Sequence, residues 1–183
     1  VEENEGCVAS VHSIQRETDW FDNPIETTGQ YSGVVISCTR GEILVLVPDE
    51  AVDTADSIEV SFSGGTILPG TVKQKDSVAD MALVSVNAAE LEDRQYERIK
   101  ELPLGNSYGV RQGDLVVAIG SPAGVTGSSG YGAISYVVRS TKAVDGSTRI
   151  FYTDTAADSQ AGTFLINTDG ELIGWAVDDY GQE

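Results

Sequence analysis

The sequence has 183 residues, and its 29 acidic and 11 basic side chains give a formal net charge of −18 at pH 7. That balance excludes nucleic-acid binding, because contacts to the phosphate backbone require a basic surface. The charge is typical of a soluble secreted protein, and it also favours the attraction of a cationic partner or peptide. No run of about eighteen apolar residues occurs, so the sequence predicts no membrane span in this chain.

The composition predicts an all-β protein. The 20 glycines accompany many Val, Ile, Thr and Ser residues, and a single segment has helical periodicity. β-Branched residues between frequent turns are typical of short strands. The length suits one domain or two tightly packed halves. No signal peptide is found at Val1, so we expect a mature or trimmed chain whose targeting segment has been removed.

Residues 1–87 are predicted to form the first β-barrel half. Residues 8–14 alternate apolar with small or polar side chains, as a half-buried strand does. The polar segment at 15–30 is predicted to be a loop in which Trp20 and Phe21 anchor onto the body of the protein. Several short apolar segments with Gly- or Pro-containing turns follow, and that rhythm indicates a barrel.

Residues 88–104 are predicted to link the two halves. Their pattern changes from a period of two to a period near 3.6, with apolar side chains at Leu91, Ile99 and Leu102. This periodicity indicates a short amphipathic helix whose charged face is solvated.

Residues 105–183 are predicted to form the second β-barrel half. Residues 115–119 resemble a buried strand, and a hairpin turn is expected at residues 144–147. The glycine-rich loop at 124–132 has no lysine after its glycines and no helix behind it, which argues against phosphate binding, and no cofactor is predicted. With about a dozen strands, the expected architecture is two antiparallel six-stranded β-barrels with a short linking helix.

The most informative stretch is residues 152–175. Two apolar strands flank an Asp-Gly turn at residues 168–170, which is the strongest short-range signal of a hairpin. The loop before them, residues 156–162, consists of small and polar residues, and small residues let a backbone N–H approach a substrate closely. Backbone N–H groups placed in this way form the oxyanion holes of acyl-transfer enzymes.

Five other segments follow one another in a recognisable order: YSGVVIS (31–37), a segment beginning GEILVLV (41–62), DSVADMALVSV (76–86), VRQGDLVVAIGSPAG (110–124) and GYGAISYVVRS (130–140). With the stretch above, they resemble the bacterial HtrA-like (high-temperature-requirement) group of chymotrypsin-fold, or trypsin-like, serine proteases. The resemblance implies two perpendicular barrels with a functional cleft between them. It also implies a homo-oligomer, or a PDZ domain in the full-length protein, and an extracellular, periplasmic or cell-surface location.

The resemblance further implies a triad in which a serine attacks, a histidine moves the proton and an aspartate orients the histidine. Asp80 matches the aspartate. The histidine position falls on Glu50 in one alignment and on Pro48 in the other, so in neither case is it a histidine. The only histidine of the chain, His12, lies in the first predicted strand and is expected to be an ordinary strand residue.

The serine position falls on Ala161 or, because the loop is one residue short, on Gly162. Neither residue has a hydroxyl group. The G-N-S-G-G pattern of the family has become Gln160, Ala161, Gly162, Thr163 and Phe164, so the segment 160–163 is a degenerate oxyanion loop and the candidate binding segment.

Ser159 is the alternative nucleophile, because the pair Asp158-Ser159 resembles the Gly-Asp-Ser of trypsins. Using it would require two extra residues before the strand at Phe164. No motif places a base beside it; the lysines considered are Lys73, Lys75 and Lys142.

The two cysteines, Cys7 and Cys38, are placed at the start of one predicted strand and the end of the next. If these strands pair antiparallel, the sulfurs can meet in a disulfide, which would imply an oxidising compartment. The alternative is two buried free thiols. A metal site is not predicted, because one histidine and two cysteines fall short of the four ligands of a structural zinc.

Three functional hypotheses follow from these observations. The first is a catalytically inactive HtrA-like protease homologue that binds a peptide or protein partner or has a regulatory role. The second is an active, atypical serine endopeptidase that uses Ser159. The third is a structural or assembly module of a longer cell-surface protein. Function depends on the site and not on the fold, so the triad positions separate the first two hypotheses.

Overall fold

The structure is a computed structural model that describes residues 2–143 and 146–177. Eleven strands follow one another in this part of the chain: β1 (Val8–Thr18), β2 (Pro24–Cys38), β3 (Glu42–Pro48), β4 (Ser57–Ser61), β5 (Ile67–Asp76), β6 (Met81–Asn87), β7 (Leu115–Gly120), β8 (Ser128–Ala143), β9 (Gly146–Thr153), β10 (Thr163–Ile166) and β11 (Leu172–Trp175). The helical elements are short: α1 (Glu50–Asp53), α2 (Asp93–Tyr96) and the 3-10 segments Glu2–Cys7 and Ser107–Gly109.

The first half is a closed antiparallel barrel, as predicted. Its six strands pair in the order β1-β2-β3-β6-β5-β4. Successive side chains of a strand point to opposite faces, so every second residue enters the barrel. The fully buried valines are Val11, Val35, Val45, Val47, Val60, Val84 and Val86. Closure leaves the barrel itself, apart from the projecting end of the β1–β2 hairpin, without a free sheet edge.

The prediction of a loop at residues 15–30 is wrong. β1 and β2 stay paired from Val8 opposite Val34 to Thr18 opposite Pro24, so this segment is the far end of a long hairpin. The β1–β4 pairing ends at Ile14, which leaves the hairpin end to project from the barrel. Trp20 and Phe21, expected to anchor onto the body, are 96% and 81% exposed.

The second half is an antiparallel sheet of five described strands in the order β11-β10-β7-β8-β9. The predicted two-part, all-β architecture is confirmed, but a sixth strand is missing from the described residues of this half. The segment before β7 contains Pro103 and Gly105 and makes one isolated bridge, from Leu104 to Leu172. β8 pairs with β7 through its first part and with β9 through the rest, with register shifts that allow the sheet to curl.

The expected hairpin between β8 and β9 is present, with Ala143 paired to Gly146. Its turn residues 144 and 145 lie outside the described residues.

The linker contains a single turn of helix, α2, which begins with a reciprocal capping box between Glu92 and Gln95. Beyond it, the side chains of Ile99 and Leu102 are buried, and the amide of Leu102 donates to the carbonyl of Val35 at 2.7 Å. The linker is therefore packed onto the first barrel. In the part of the chain that the structure describes, no helix is long and apolar enough to cross a membrane.

A shared apolar cluster joins the two halves. It contains Cys7, Val34, Met81, Leu102, Ile119, Phe164, Ile166 and Leu172. The indole N–H of Trp175 also donates to the carbonyl of Ala79 at 3.0 Å, which ties β11 to the turn before β6. These contacts fix the position of one half on the other, and with it the shape of the junction.

The cysteines are both free thiols, so the disulfide alternative is wrong. Val8 pairs with Val34, so one further step would place Cys7 opposite position 35, three residues from Cys38. At about 3.3 Å per residue, that offset exceeds the Cα separation a disulfide spans. Cys7 packs in the shared cluster, whereas Cys38 contacts the barrel core. Burial raises the pKa of both thiols, which keeps them protonated and unreactive.

Candidate active-site remnant at the junction of the halves

The loop between β9 and β10 is held by both halves of the molecule. The carbonyl of Ala161 accepts from the amide of Ser32 in β2 at 2.7 Å, and the carbonyl of Gly162 accepts from the amide of Ser121 at 2.9 Å. Beneath the loop, the hydroxyls of Ser32 and Ser121 hydrogen-bond to each other at 2.7 Å, with exposures of 0% and 1%. The candidate loop is therefore built on a buried polar contact between the two halves.

Gly162 and Gly120 leave no room for side chains. Gly162 has φ = +96°, and a Cβ there would overlap the carbonyl oxygen of Ser32 and lie 3.3 Å from Pro48 Cδ. Gly120 has φ = +101°, and its Cβ would lie 2.5 Å from the carbonyl oxygen of Gly162. Position 162 cannot hold a serine, so of the two alignments only the one on Ala161 gives a position that carries a side chain.

The structure brings the other two predicted positions to the same junction. The carbonyl of Asp80 accepts from the amide of Asp49 at 3.1 Å, directly before α1, in which Glu50 is the first residue. Pro48 pairs with Met81 and also faces Gly162. The end of β3, the start of β6 and the loop therefore meet. Glu50 is exposed, and Asp80 is half-buried with φ = +52°.

Tyr31 is a junction residue that the sequence pattern did not reveal. Burial, together with the negative charge of Glu50, raises the pKa of its hydroxyl. A negative charge makes the ionised phenolate less favourable, which accounts for the direction. The ring lies over Gly29, where a Cβ would be 2.9 Å from a ring carbon. Tyr31 thus places a phenol close to the first turn of α1.

His12, the only histidine, lies elsewhere. It is half-buried in β1, where its ladder partners are Gln30 of β2 and Glu59 of β4. The predicted site positions follow β3 or precede β6, which are on other sides of the barrel. The structure therefore places His12 among ordinary strand residues.

Two of the three lysines named as bases for Ser159 form ion pairs within the first barrel. Lys73 pairs with Glu42 at 2.6 Å, and Lys75 pairs with Asp53. The side chain of Lys142 lies outside the described residues.

The loop itself is closed by a side chain. Oδ1 of Asp158 accepts from the amide of Ala161 at 2.9 Å, and the hydroxyl of Thr163 donates to the carbonyl of Asp158 at 2.7 Å. Ser159 is half-buried in this turn and Gln160 is exposed. The sequence pattern located the loop, but it did not predict this contact.

A cavity of about 460 Å³ lies between the halves, next to Gly120. Its lining includes Ser10, Phe62, Ile119 and Ser128. This volume lies within the range of ligand pockets in proteins. Among the described residues, no group of three or more His, Cys, Asp or Glu side chains is placed to hold a metal ion.

The family described as "Trypsin-like peptidase domain" matches residues 31–174 in sequence. The chain therefore belongs to the trypsin-like peptidase domain family, and within it the resemblance to the HtrA-like group is confirmed by its relatives. The matched residues contain the loop, Asp80 and Glu50, whereas His12 lies before them.

Two relatives illustrate the similarity. A probable periplasmic serine protease do/HhoA-like of Haemophilus influenzae is 32% identical over 148 residues, which cover 80% of this chain and 30% of that protein. The periplasmic serine endoprotease DegP of Salmonella typhimurium is 32% identical over 144 residues, covering 78% and 28%. The chain thus spans under a third of the length of these two relatives.

A solved structure, the HtrA-type protease AlgW with decapeptide, has the same fold. It superposes with a TM-score of 0.73 and 21% sequence identity, covering 97% of this chain and 57% of that one.

Proposed function

We propose that this chain is a pseudoprotease domain, which holds an extended peptide or protein segment at the junction of its halves without hydrolysing it. The observation that carries the proposal is a contrast within one site. Both halves of the protein hydrogen-bond to the loop, while Ala161 and Glu50 are the residues that the resemblance aligns with the serine and the histidine.

The chemistry supports this reading of the site. Acyl transfer in this family requires a nucleophile and a base, and loss of either lowers the rate by several orders of magnitude. A methyl group at position 161 cannot attack a carbonyl carbon. The carboxylate of Glu50 is exposed, and it lacks the two ring nitrogens with which a histidine takes up a proton while an aspartate orients it. Asp80, without a histidine to orient, has no catalytic task.

Three features support a binding role: a cavity, the outer edge of strand β11 and a group of carboxylates. The cavity of about 460 Å³ adjoins Gly120 at the foot of the loop. β11 pairs with β10, and beyond Leu172 its other edge has no partner strand among the described residues, so an extended peptide can add to it by strand pairing. Carboxylates at Glu50, Asp80 and Asp158 lie around the junction and favour a cationic segment.

The binding test uses an unfolded cationic chain: lysozyme that has been reduced, alkylated with iodoacetamide and labelled with a fluorophore. Binding is followed by fluorescence anisotropy at low salt. The Ala161→Arg variant places a bulky cation in the loop, and we expect it to raise Kd about tenfold. The matched control is Ala89→Arg, which makes the same charge change at an exposed linker position and should stay within about twofold. Equal affinities of the two variants, or no binding by the parent chain, would contradict the proposal.

The active-enzyme alternative uses Ser159, and the names of the relatives are those of serine proteases. Labelling by a fluorophosphonate that is lost in Ser159→Ala would establish it. We expect the parent chain and the variant to label equally weakly, because no histidine lies in the region that contains the loop.

The location outside the cytoplasm is part of the proposal. It is supported by the word periplasmic in the names of both relatives. Cell fractionation of the source organism with an antibody against the chain tests it, and recovery in the cytoplasmic fraction would refute it. A homo-oligomer and an attached PDZ domain stay predictions, which size-exclusion chromatography and the full-length sequence would check.

A further inference from the structure

The amide of Ala161 has an internal acceptor. In a trypsin-like protease, the backbone N–H of the nucleophilic residue is one of the two donors of the oxyanion hole. Here the N–H of Ala161, at the corresponding position, donates to Oδ1 of Asp158 at 2.9 Å. The acceptor is a carboxylate, which makes a stronger hydrogen bond to an amide than a neutral oxygen does.

The turn that makes this contact is fixed on both sides. The carbonyl groups of Ala161 and Gly162 are engaged by the amides of Ser32 and Ser121, so the loop cannot shift toward either half without losing them. On the other side of the turn, the Thr163 hydroxyl donates to the carbonyl of Asp158. The residues that follow the amide are therefore held by both halves of the protein, and the backbone of Asp158 is held by Thr163.

The spacing of the two residues suits the contact. Asp158 precedes Ala161 by three residues, the spacing at which an Asp side chain caps an amide of a tight turn. The loop's own sequence therefore supplies both the donor and the acceptor.

We propose that Asp158 is an internal plug of the oxyanion position: its carboxylate occupies the place, and supplies the negative charge, of the oxyanion that an active protease would bind there. This inference rests on the proposed function, in which Ala161 corresponds to the serine. A peptide carbonyl at the junction then finds the amide occupied and is not polarised. Asp158 is a positioning residue, and it separates binding of a peptide from activation of its carbonyl group.

The Asp158 carboxylate has an effect on catalysis that loss of the triad alone would not have. Negative charge develops on the carbonyl oxygen during acyl transfer, and a fixed carboxylate at that place raises the energy of the transition state. Restoring a hydroxyl at position 161 therefore leaves the amide unavailable. The Asp158 carboxylate is thus a second block to catalysis, independent of the missing base.

The direct test is NMR of the full chain labelled with ¹⁵N and ¹³C. A scalar coupling across the hydrogen bond, between the amide nitrogen of Ala161 and the side-chain carboxyl carbon of Asp158, is expected in the parent protein. Amide exchange at position 161 is expected to rise about tenfold or more in Asp158→Ala and to stay within about threefold in Asp158→Asn, which keeps an acceptor oxygen. The amide of Ser121 reports that the loop has kept its place.

Chemical rescue by acetate is a second measurement. Acetate would not change the exchange rate at position 161 if the Asp158 contact were only structural. Acetate added to Asp158→Ala should slow exchange at position 161 toward the parent rate, because the vacated place accepts a free carboxylate. Acetate should leave the parent protein and Asp158→Asn unchanged. Absence of the coupling in the parent protein, or equal exchange in the parent and Asp158→Ala, would overturn the plug, and so would a lack of rescue by acetate. If Asp158→Ala unfolds, the scalar coupling in the parent protein and the exchange rate at position 161 in Asp158→Asn still test the plug.

The outcome is independent of the binding test. Failure of the plug leaves lysozyme binding and its loss in Ala161→Arg intact. Failure of the pseudoprotease proposal appears as peptide cleavage or as equal affinities of the two arginine variants, whatever the exchange rate at position 161.

Discussion

Two regions meet at the junction of the halves, and they differ in the substitutions that we expect them to tolerate. The junction framework consists of Ser32, Gly120, Ser121 and Gly162, which are buried, hydrogen-bonded and closely packed. The chemical rim consists of Glu50, Asp80 and Ala161, which are exposed or half-buried. We therefore expect a substitution in the framework to cost packing and a substitution at the rim to cost little.

The largest effect is expected for Gly162→Ala in the framework. The added Cβ overlaps the carbonyl oxygen of Ser32, at a backbone conformation with φ = +96°. We expect the free energy of unfolding to fall by about 3 kcal/mol or more, from the sum of the backbone strain and the clash. Urea denaturation measures this. Gly41→Ala is the control, since nothing lies within 4 Å of its Cβ, and equal stabilities of the two variants would remove the framework from this account.

The second effect concerns the buried hydroxyl pair. Ser32→Ala leaves the Ser121 hydroxyl buried without its partner, which should cost about 1–3 kcal/mol of unfolding free energy. The double change Ser32→Ala with Ser121→Ala removes both polar groups and should cost less than the sum of the single changes. Strict additivity in urea denaturation would show that the two hydroxyls do not depend on each other.

At the rim we expect near-neutral changes in stability. Ala161→Ser restores a hydroxyl at the serine position and should alter the free energy of unfolding by no more than about 0.5 kcal/mol. It should also give no peptidase activity, because no histidine is near. A loss of stability as large as that of Gly162→Ala would show that the rim is as constrained as the framework.

The smallest effect is a shift in a titration. The charge of Glu50 contributes to the raised pKa of Tyr31, after burial. Glu50→Gln removes that charge, so the pKa of the Tyr31 phenol should move down toward its ordinary value while burial keeps it raised. Site-resolved NMR of the Tyr31 ring against pH measures the shift. An unchanged or higher pKa would mean that Glu50 does not face the phenol.

The sequence predicted the first barrel well because its evidence is local. Alternating apolar residues set the inward face of each strand, and valines such as Val45 and Val84 are buried where the alternation requires. The second half was predicted less completely. Its expected sixth strand has no counterpart among the described residues, and the segment before β7, which contains Pro103 and Gly105, makes only one isolated bridge.

Contacts between distant residues were beyond the sequence pattern. The register of β1 and β2 places Cys7 and Cys38 apart, and a register is set by pairing rather than by composition. The Asp158–Ala161 bond depends on the folded conformation of the loop, which no local sequence pattern specifies. The assignment of triad positions to Glu50, Asp80 and Ala161 stays a prediction, and the structure adds that the segments carrying them meet at one junction.

The central claim is that the junction retains a peptide without cleaving it. Mass spectrometry of unfolded, alkylated lysozyme after prolonged incubation with the purified chain tests this most directly, with Ser159→Ala incubated in parallel. The account predicts an intact lysozyme mass in both samples. Fragments that appear with the parent chain and are absent with Ser159→Ala would contradict it.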